Sequence, residues 1–232
     1  MQAVKPNSRV RLRLINAANA RIFSLALNDP AILIATDGAP TRHMPVEQLT
    51  LAPAQRADLI IDIGDAGFKL EEISAGRPLP AGTLRPDAAL GMAHTAKTTL
   101  KAPVLAPVPA LNTARRIAVH MQGGAMGNLA EAMLDGEMLP LRDLALNQKK
   151  LWAFNQEVGS HAMWLAEAER NQLIALDVFN DTAWPHAMHL HGHHFWVTSP
   201  TGEPLHHCKR DTYLMQPGER ASLVFIADNQ GL

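Results

Sequence analysis

Seven of the chain's eleven histidines fall within 22 residues: His186, His189, His191, His193, His194, His206 and His207. Five of them stand in one run, His186-Ala-Met-His189-Leu-His191-Gly-His193-His194. Imidazole suits copper, zinc, iron or nickel, so the residue type points to a transition metal without choosing which. Spacing adds geometry. Alternate side chains of a β-strand leave the same face about 6.6 Å apart along the chain, so His189 and His191 can each hold a different metal of one cluster. His186 has the opposite parity and points to the other side, toward a separate site.

The elements that must position this run are short strands. Arg9-Val-Arg-Leu-Arg-Leu-Ile15 alternates polar and apolar residues, and Phe23 to Leu27, Ile32 to Ile34 and Leu59 to Ile63 continue the style, with turn signals at Asn28-Asp29-Pro30 and Asp37-Gly38. Later strands are expected over Leu173 to Phe179, His189 to Val197 and Ala221 to Ile226. Between about Arg77 and Pro109 prolines are scattered among Ala, Gly and Thr, which predicts irregular connection and linker. The domains are therefore drawn as 1–109 and 110–232. Met126 to Met138 carries helical spacing, with Met126, Leu129, Ala130, Met133 and Leu134 on one face.

An internal repeat ties the two domains together. A shift of 164 positions, without gaps, aligns residues 7–61 with 171–225 and matches Asn7, Asn16, Gly38, Pro40, His43, Pro53, Arg56, Ala57 and Leu59 to identical residues. Two copies of one all-β domain follow, each most simply an antiparallel sandwich or barrel with Greek-key connections. Under this shift His186, His189 and His191 fall opposite Ile22, Leu25 and Leu27, so the fold itself does not require histidine there.

Composition bounds the function classes. The chain has 232 residues, 47% apolar and 19% charged, with a formal net charge of −1. That argues against nucleic-acid and anionic-membrane partners. No apolar run approaches the roughly 18 residues of a membrane-spanning helix. Met1 to Arg13 lacks the apolar core of a signal peptide, so the visible start gives no address. One cysteine, Cys208, excludes an internal disulfide framework.

The run His-x-x-His-x-His followed by Gly-His resembles the third of the four ligand segments of the multicopper oxidases, a family of laccases, ascorbate oxidase and bacterial copper-tolerance oxidases. The similarity extends through Arg210-Asp-Thr-Tyr-Leu-Met-Gln-Pro-Gly-Glu219 to Asn229, and Val4 to Ala17 resembles the start of the family's copper-free second domain. The resemblance implies two cupredoxin-like Greek-key β-sandwich domains, both incomplete. It also implies copper as cofactor: His186 on the type 1 (blue) copper, His189 on the type 2 copper and His191 on one type 3 copper. The parent would couple one-electron oxidation of phenols or metal ions to four-electron reduction of O2 to water, in the periplasm or secreted. Its first domain and its His-Cys-His segment, with the blue-copper thiolate, are expected outside this sequence, so the chain alone should be inactive. Cys208, in His206-His-Cys-Lys209, does not replace that thiolate and pairs with Met44 in the repeat, an ordinary buried position.

Other clusters carry less. Met121, Met126, Met133 and Met138 could form a thioether patch for Cu(I), although such spacing more often means packing. His193 is a candidate to orient a neighbouring ligand, with an exposed or core role as the alternative. His206 and His207 sit in an expected turn where surface metal binding is adventitious. A metal hydrolase needs Asp where this run has His, and a cupin dioxygenase needs Glu where Phe195 and Trp196 stand. A non-enzymatic copper-binding β-domain protein is the alternative reading of the same histidines.

Overall fold

The computed structural model describes residues 1–93, 99–159 and 164–229, so His161 and part of the expected linker lie outside the described residues. Among the described residues the protein is nearly all-β, 49% strand and 6% helix. It divides into two compact units, Met1–Ala106 and Pro107–Leu232.

In unit 1 the strands are β1 (Gln2–Val4), β2 (Arg9–Ile15), β3 (Phe23–Thr36), β4 (Ala39–Leu51), β5 (Arg56–Asp62), β6 (Phe68–Glu72) and β7 (Leu79–Pro86). Among the described residues they pair in the order β1-β7-β6-β3-β5-β2, with β4 also on β3. Alternation sends Leu25, Leu27, Leu59, Ile61, Phe68 and Leu70 into one core. On the outer face Arg9 pairs with Asp62 at 2.7 Å, and Arg11 and Arg13 both approach Asp58. The expected turn at Asn28-Asp29-Pro30 is instead the bend of one long strand, its irregularity absorbed by a register shift between Ala26 and Ala31. The expected linker from Arg77 also needs correction, because Leu79–Pro86 is a strand. Its prolines are tolerated because Pro86 ends the strand and a register shift at Leu70/Glu71 lies beside Pro80.

Unit 2 contains β8 (Arg115–Gly123), β9 (Glu131–Leu134), β10 (Glu137–Pro140), α1 (Leu141–Gln148), β11 (Trp152–Phe154), β12 (Glu157–Val158), β13 (Leu173–Asn180), β14 (His186–His189), β15 (Trp196–Thr198), β16 (Thr212–Met215) and β17 (Arg220–Ile226). One sheet runs β10-β9-β12-β11-β8-β13-β17-β15, and β14 pairs with β16 in a second. The helix expected over Met126 to Met138 is absent there. Asp135 and Gly136 both take positive φ, 52° and 87°, and turn the chain into the β9–β10 hairpin, in which Met133 and Met138 lie directly opposite. An Asp-Gly pair between short apolar runs is the stronger local signal.

The repeat is visible in hydrogen bonds. Leu12 pairs with Leu59 in unit 1 and Leu176 with Leu223 in unit 2, both at the 164-residue offset. Asn16 donates its side-chain amide to the carbonyls of Arg21 and Leu51, and its backbone N–H to Gln55. Asn180 donates likewise to Trp184 and Met215, and its N–H to Glu219. The frame nevertheless slips at the histidines. Phe23 faces Leu51, whereas His186 faces Met215, the repeat partner of Leu51. Likewise Ala26 faces Gln48, and His189 faces Thr212, the repeat partner of Gln48. His186 and His189 therefore occupy the places of Phe23 and Ala26, one residue from the gapless alignment. The cause is local: the asparagine amide closes onto a carbonyl five residues ahead in unit 1 and four ahead in unit 2.

Candidate metal centre

β14 is held by β16 along one edge and begins just after the loop anchored by Asn180. That side chain is wholly buried and makes three donor contacts, to Trp184, Met215 and Gln216, while its carbonyl oxygen accepts from the N–H and hydroxyl of Thr182. Thr182 in turn lies 3.0 Å from His186 Nε2. Its hydroxyl proton already goes to Asn180 or to the Trp184 carbonyl, so it accepts from Nε2–H and leaves the His186 Nδ1 lone pair for a metal. Burial pushes the His186 pKa below the usual histidine range, which keeps the ring neutral, the form that ligates.

His189 leaves the opposite face of β14. Its Nδ1 is 2.9 Å from both the Asp211 carbonyl and the Thr212 hydroxyl. The Thr212 hydroxyl donates to the Asp211 carboxylate at 2.9 Å, so both groups accept and Nδ1 carries the proton. The tautomer is thereby inferred from the network, with Nε2 as the free donor to a metal. His191 lies beyond the strand end, before a turn in which Gly192 has φ of 73°. The strand expected from His189 to Val197 is thus broken. The turn still brings the His191 ring within 4.8 Å of the His189 ring, at 77° to it.

Several groups around this run were not visible in its spacing. Trp152, 38% exposed, sets its ring edge-on to His186 with centroids 4.6 Å apart. The indole packs over Gly124, where φ is 86° and an added Cβ would lie 2.5 Å from ring carbons. Gly124→Ala is expected to cost about 2 kcal/mol through left-handed strain and a displaced ring. Trp fluorescence should shift along with the unfolding midpoint, and an unchanged emission spectrum would count against this packing. Asp211, Thr212 and Thr182 were equally silent, since short polar residues near a histidine run are common and only pairing with β16 brings them to it.

The remaining candidates separate. His193 Nδ1 lies 3.3 Å from the His191 carbonyl, and its Nε2 is buried against Phe225 with no hydrogen-bond partner among the described residues. Met121 is 2% exposed, which removes it from any surface thioether patch, while Met126, Met133 and Met138 are exposed. Cys208 is 5% exposed. His206 packs on Tyr213 with ring centroids 5.4 Å apart, and burial, followed by Arg210 and His207, lowers its pKa to about 4. Its folded pKa lies below the unfolded value near 6.5, so the unfolded state binds the extra proton. Stability contributed by neutral His206 is present above about pH 6.5 and is lost as pH falls toward 4. Denaturant midpoints measured from pH 7 to 4 should decline less steeply in His206→Gln.

The chemistry of the donors fits copper, but the set is open. Among the described residues no three His, Cys, Asp or Glu side chains come together to hold a metal ion.

Two multicopper oxidase family models match this chain, over residues 2–67 and 139–232, together more than half of it. Multicopper oxidase MmcO of Mycobacterium tuberculosis is 27% identical over 98% of the chain and 43% of its own length. Cell division protein FtsP of Pectobacterium atrosepticum is 29% identical over 84% of the chain and 39% of its own length. Among solved structures, Lac15 from a marine microbial metagenome is 29% identical with a TM-score of 0.69, covering 99% of this chain and 51% of that one. The laccase-like multicopper oxidase CueO from Ochrobactrum, at 23% identity and a TM-score of 0.75, shares the fold over 100% of this chain and 51% of its own. The chain thus spans about half the length, or less, of these relatives. By the two family matches and the sandwich units they cover, it belongs to the multicopper oxidase family.

Proposed function

We propose that this chain is part of a copper-dependent oxidase that takes electrons singly from a phenol or a metal ion and passes them to O2, giving water. The observation that carries the reading is the orientation of the imidazoles. His186 and His189 each commit one ring nitrogen to a threonine hydroxyl and leave the other for a metal, on opposite faces of one four-residue strand. In this reading His186 serves the type 1 copper, His189 the type 2 copper and His191 one type 3 copper. Copper, when bound, supplies the one-electron exchange that phenols and Fe(II) need and that side chains alone cannot provide. What the chain itself does is fix ligand direction. Thr182 and Thr212 hold the rings, and the short segment between His186 and His189 ties one face to the other. The electron donor and O2 are the partners, and the site of action is the periplasm or the cell exterior.

A cell division role is the second reading, favoured by the similarity to the FtsP proteins. It stands beside the non-enzymatic alternative, a copper-binding β-domain protein whose histidines sequester metal.

Copper loading separates the two. The 232-residue chain offers three of the ligands this reading requires, so loaded alone it should show no blue absorption and no steady oxygen uptake. The longer parent polypeptide, loaded in the same way, should show both. A colourless, oxygen-silent parent at stoichiometric copper would sink the oxidase reading, and a blue 232-residue chain would show that the ligands are misplaced.

A further inference from the structure

Unit 1 keeps the place of the His186 site without its chemistry. By pairing register Phe23 stands where His186 stands in unit 2, and Asn16 and Leu51 are the repeat partners of Asn180 and Met215. Around these three residues lies an open hollow of about 510 Å³, whose lining also includes Glu72 of β6 and Leu79 of β7. Among the described residues neither histidine nor cysteine lines it, so the donors of a copper site are gone while the space remains. A protein interior fills such space with side chains, whereas a hollow of this volume is the size of a small-molecule site.

One polar feature breaks the apolar wall. Arg21 Nη2 donates to Glu72 Oε2 at 3.0 Å, and the guanidinium lies over the Phe23 ring, 5.5 Å from its centroid. The Glu72 side chain is 8% exposed and that of Arg21 52%. Glu72 Oε1 accepts from the N–H and the hydroxyl of Ser74. Those bonds first, and Arg21 after them, hold the Glu72 carboxyl below the usual carboxylate range, so it stays an anion able to accept. Among the described residues the Arg21 side chain donates to Glu72 alone, which leaves further N–H groups to give.

The balance of this pair selects the ligand. A carboxylate would bring a second anion against Glu72, and an ammonium a second cation against Arg21. A plain hydrocarbon would cover both groups and bond neither. One neutral hydroxyl accepts from Arg21 and donates to Glu72 Oε2, and a phenolic hydroxyl is a more acidic donor than an aliphatic one. Its ring lies against Phe23 and the leucines of the wall. We propose that this hollow binds a small neutral phenol of one or two rings. The unit that lacks the histidine run thereby has a ligand site of its own, separate from the electron-donor role proposed for phenols and independent of copper.

The test is a titration of the metal-free 232-residue chain with 2-naphthol at pH 7, followed by the backbone amide resonances. The amides of Phe23, Leu25, Leu51 and Glu72 should shift saturably, and those of unit 2 should stay in place. 2-Naphthoate, equal in ring and opposite in balance, should bind at least about tenfold more weakly. Ala81→Trp, at an exposed position of the lining, fills the hollow and should abolish the shifts while the spectrum stays dispersed as in a folded chain. No saturable shift at millimolar 2-naphthol, equal binding of 2-naphthoate, or unchanged binding in Ala81→Trp would each overturn the proposal. No copper enters the experiment, so failure here and failure of the oxidase reading are distinguishable.

Discussion

Asn180→Ala should destabilise unit 2 by about 3–5 kcal/mol, the largest loss expected from any single polar substitution in this chain. The side chain is fully buried and its amide donates to three backbone carbonyls, those of Trp184, Met215 and Gln216, which lose that donor in the alanine variant. It also accepts from Thr182, so the hydroxyl that orients His186 loses its own anchor. The repeat supplies the control. Asn16 satisfies two carbonyls, so Asn16→Ala should cost about 2–3 kcal/mol and leave unit 2 untouched. Urea titrations followed by Trp fluorescence read unit 2, where all four tryptophans, Trp152, Trp164, Trp184 and Trp196, lie, so Asn180→Ala should shift that transition and Asn16→Ala should leave it in place, its own loss being read by circular dichroism. A loss under about 1 kcal/mol for Asn180→Ala would show that the network is not what closes the loop.

The second large effect tests the copper role proposed for His189 in the longer polypeptide. If that reading holds, His189→Ala there should lose copper and lower oxygen consumption at least a hundredfold, because the exposed ring is not needed by the core and its loss spares the fold. Thr212→Val is the finer test. It keeps the imidazole and the Asp211 carbonyl contact but deletes the hydroxyl at 2.9 Å from Nδ1. Loss of such an orienting group typically costs ten- to a hundredfold in metal affinity. Copper retained per mole after dialysis against a graded chelator measures it, with circular dichroism as the check on folding. Undiminished retention in Thr212→Val would mean that the backbone carbonyl alone orients the ring.

How far the fold could be read from residues is best seen strand by strand. Arg9–Ile15 and Leu173–Asn180 were legible because alternation and the repeat agreed, and the structure pairs them at the same offset with β5 and β17. Met126 to Met138 was misread because apolar residues spaced three and four apart also arise when two short strands alternate across a turn. Asp135-Gly136 was the decisive signal and carried more information than the methionines. The histidine run stood out by residue type alone. Its frame did not, because a gapless alignment hides a loop shortened in one copy. Nor did the orienting groups, since Thr182 and Thr212 become partners of His186 and His189 only through tertiary pairing.

The shorter loop after Asn180 sets a phase. Strand alternation has a period of two, so a connection changed by a single residue exchanges every side chain between the inner and outer faces. As built, His186 shares its face with Met188 and Leu190, both packed toward the core, and His189 turns outward. One extra residue between Asn180 and His186 would turn the half-sheltered imidazole to solvent and drive Ala187 and His189 toward the interior. Loop length in this chain is therefore a coordinate of the chemistry: the same letters in the same order, one step out of phase, would spell a different surface.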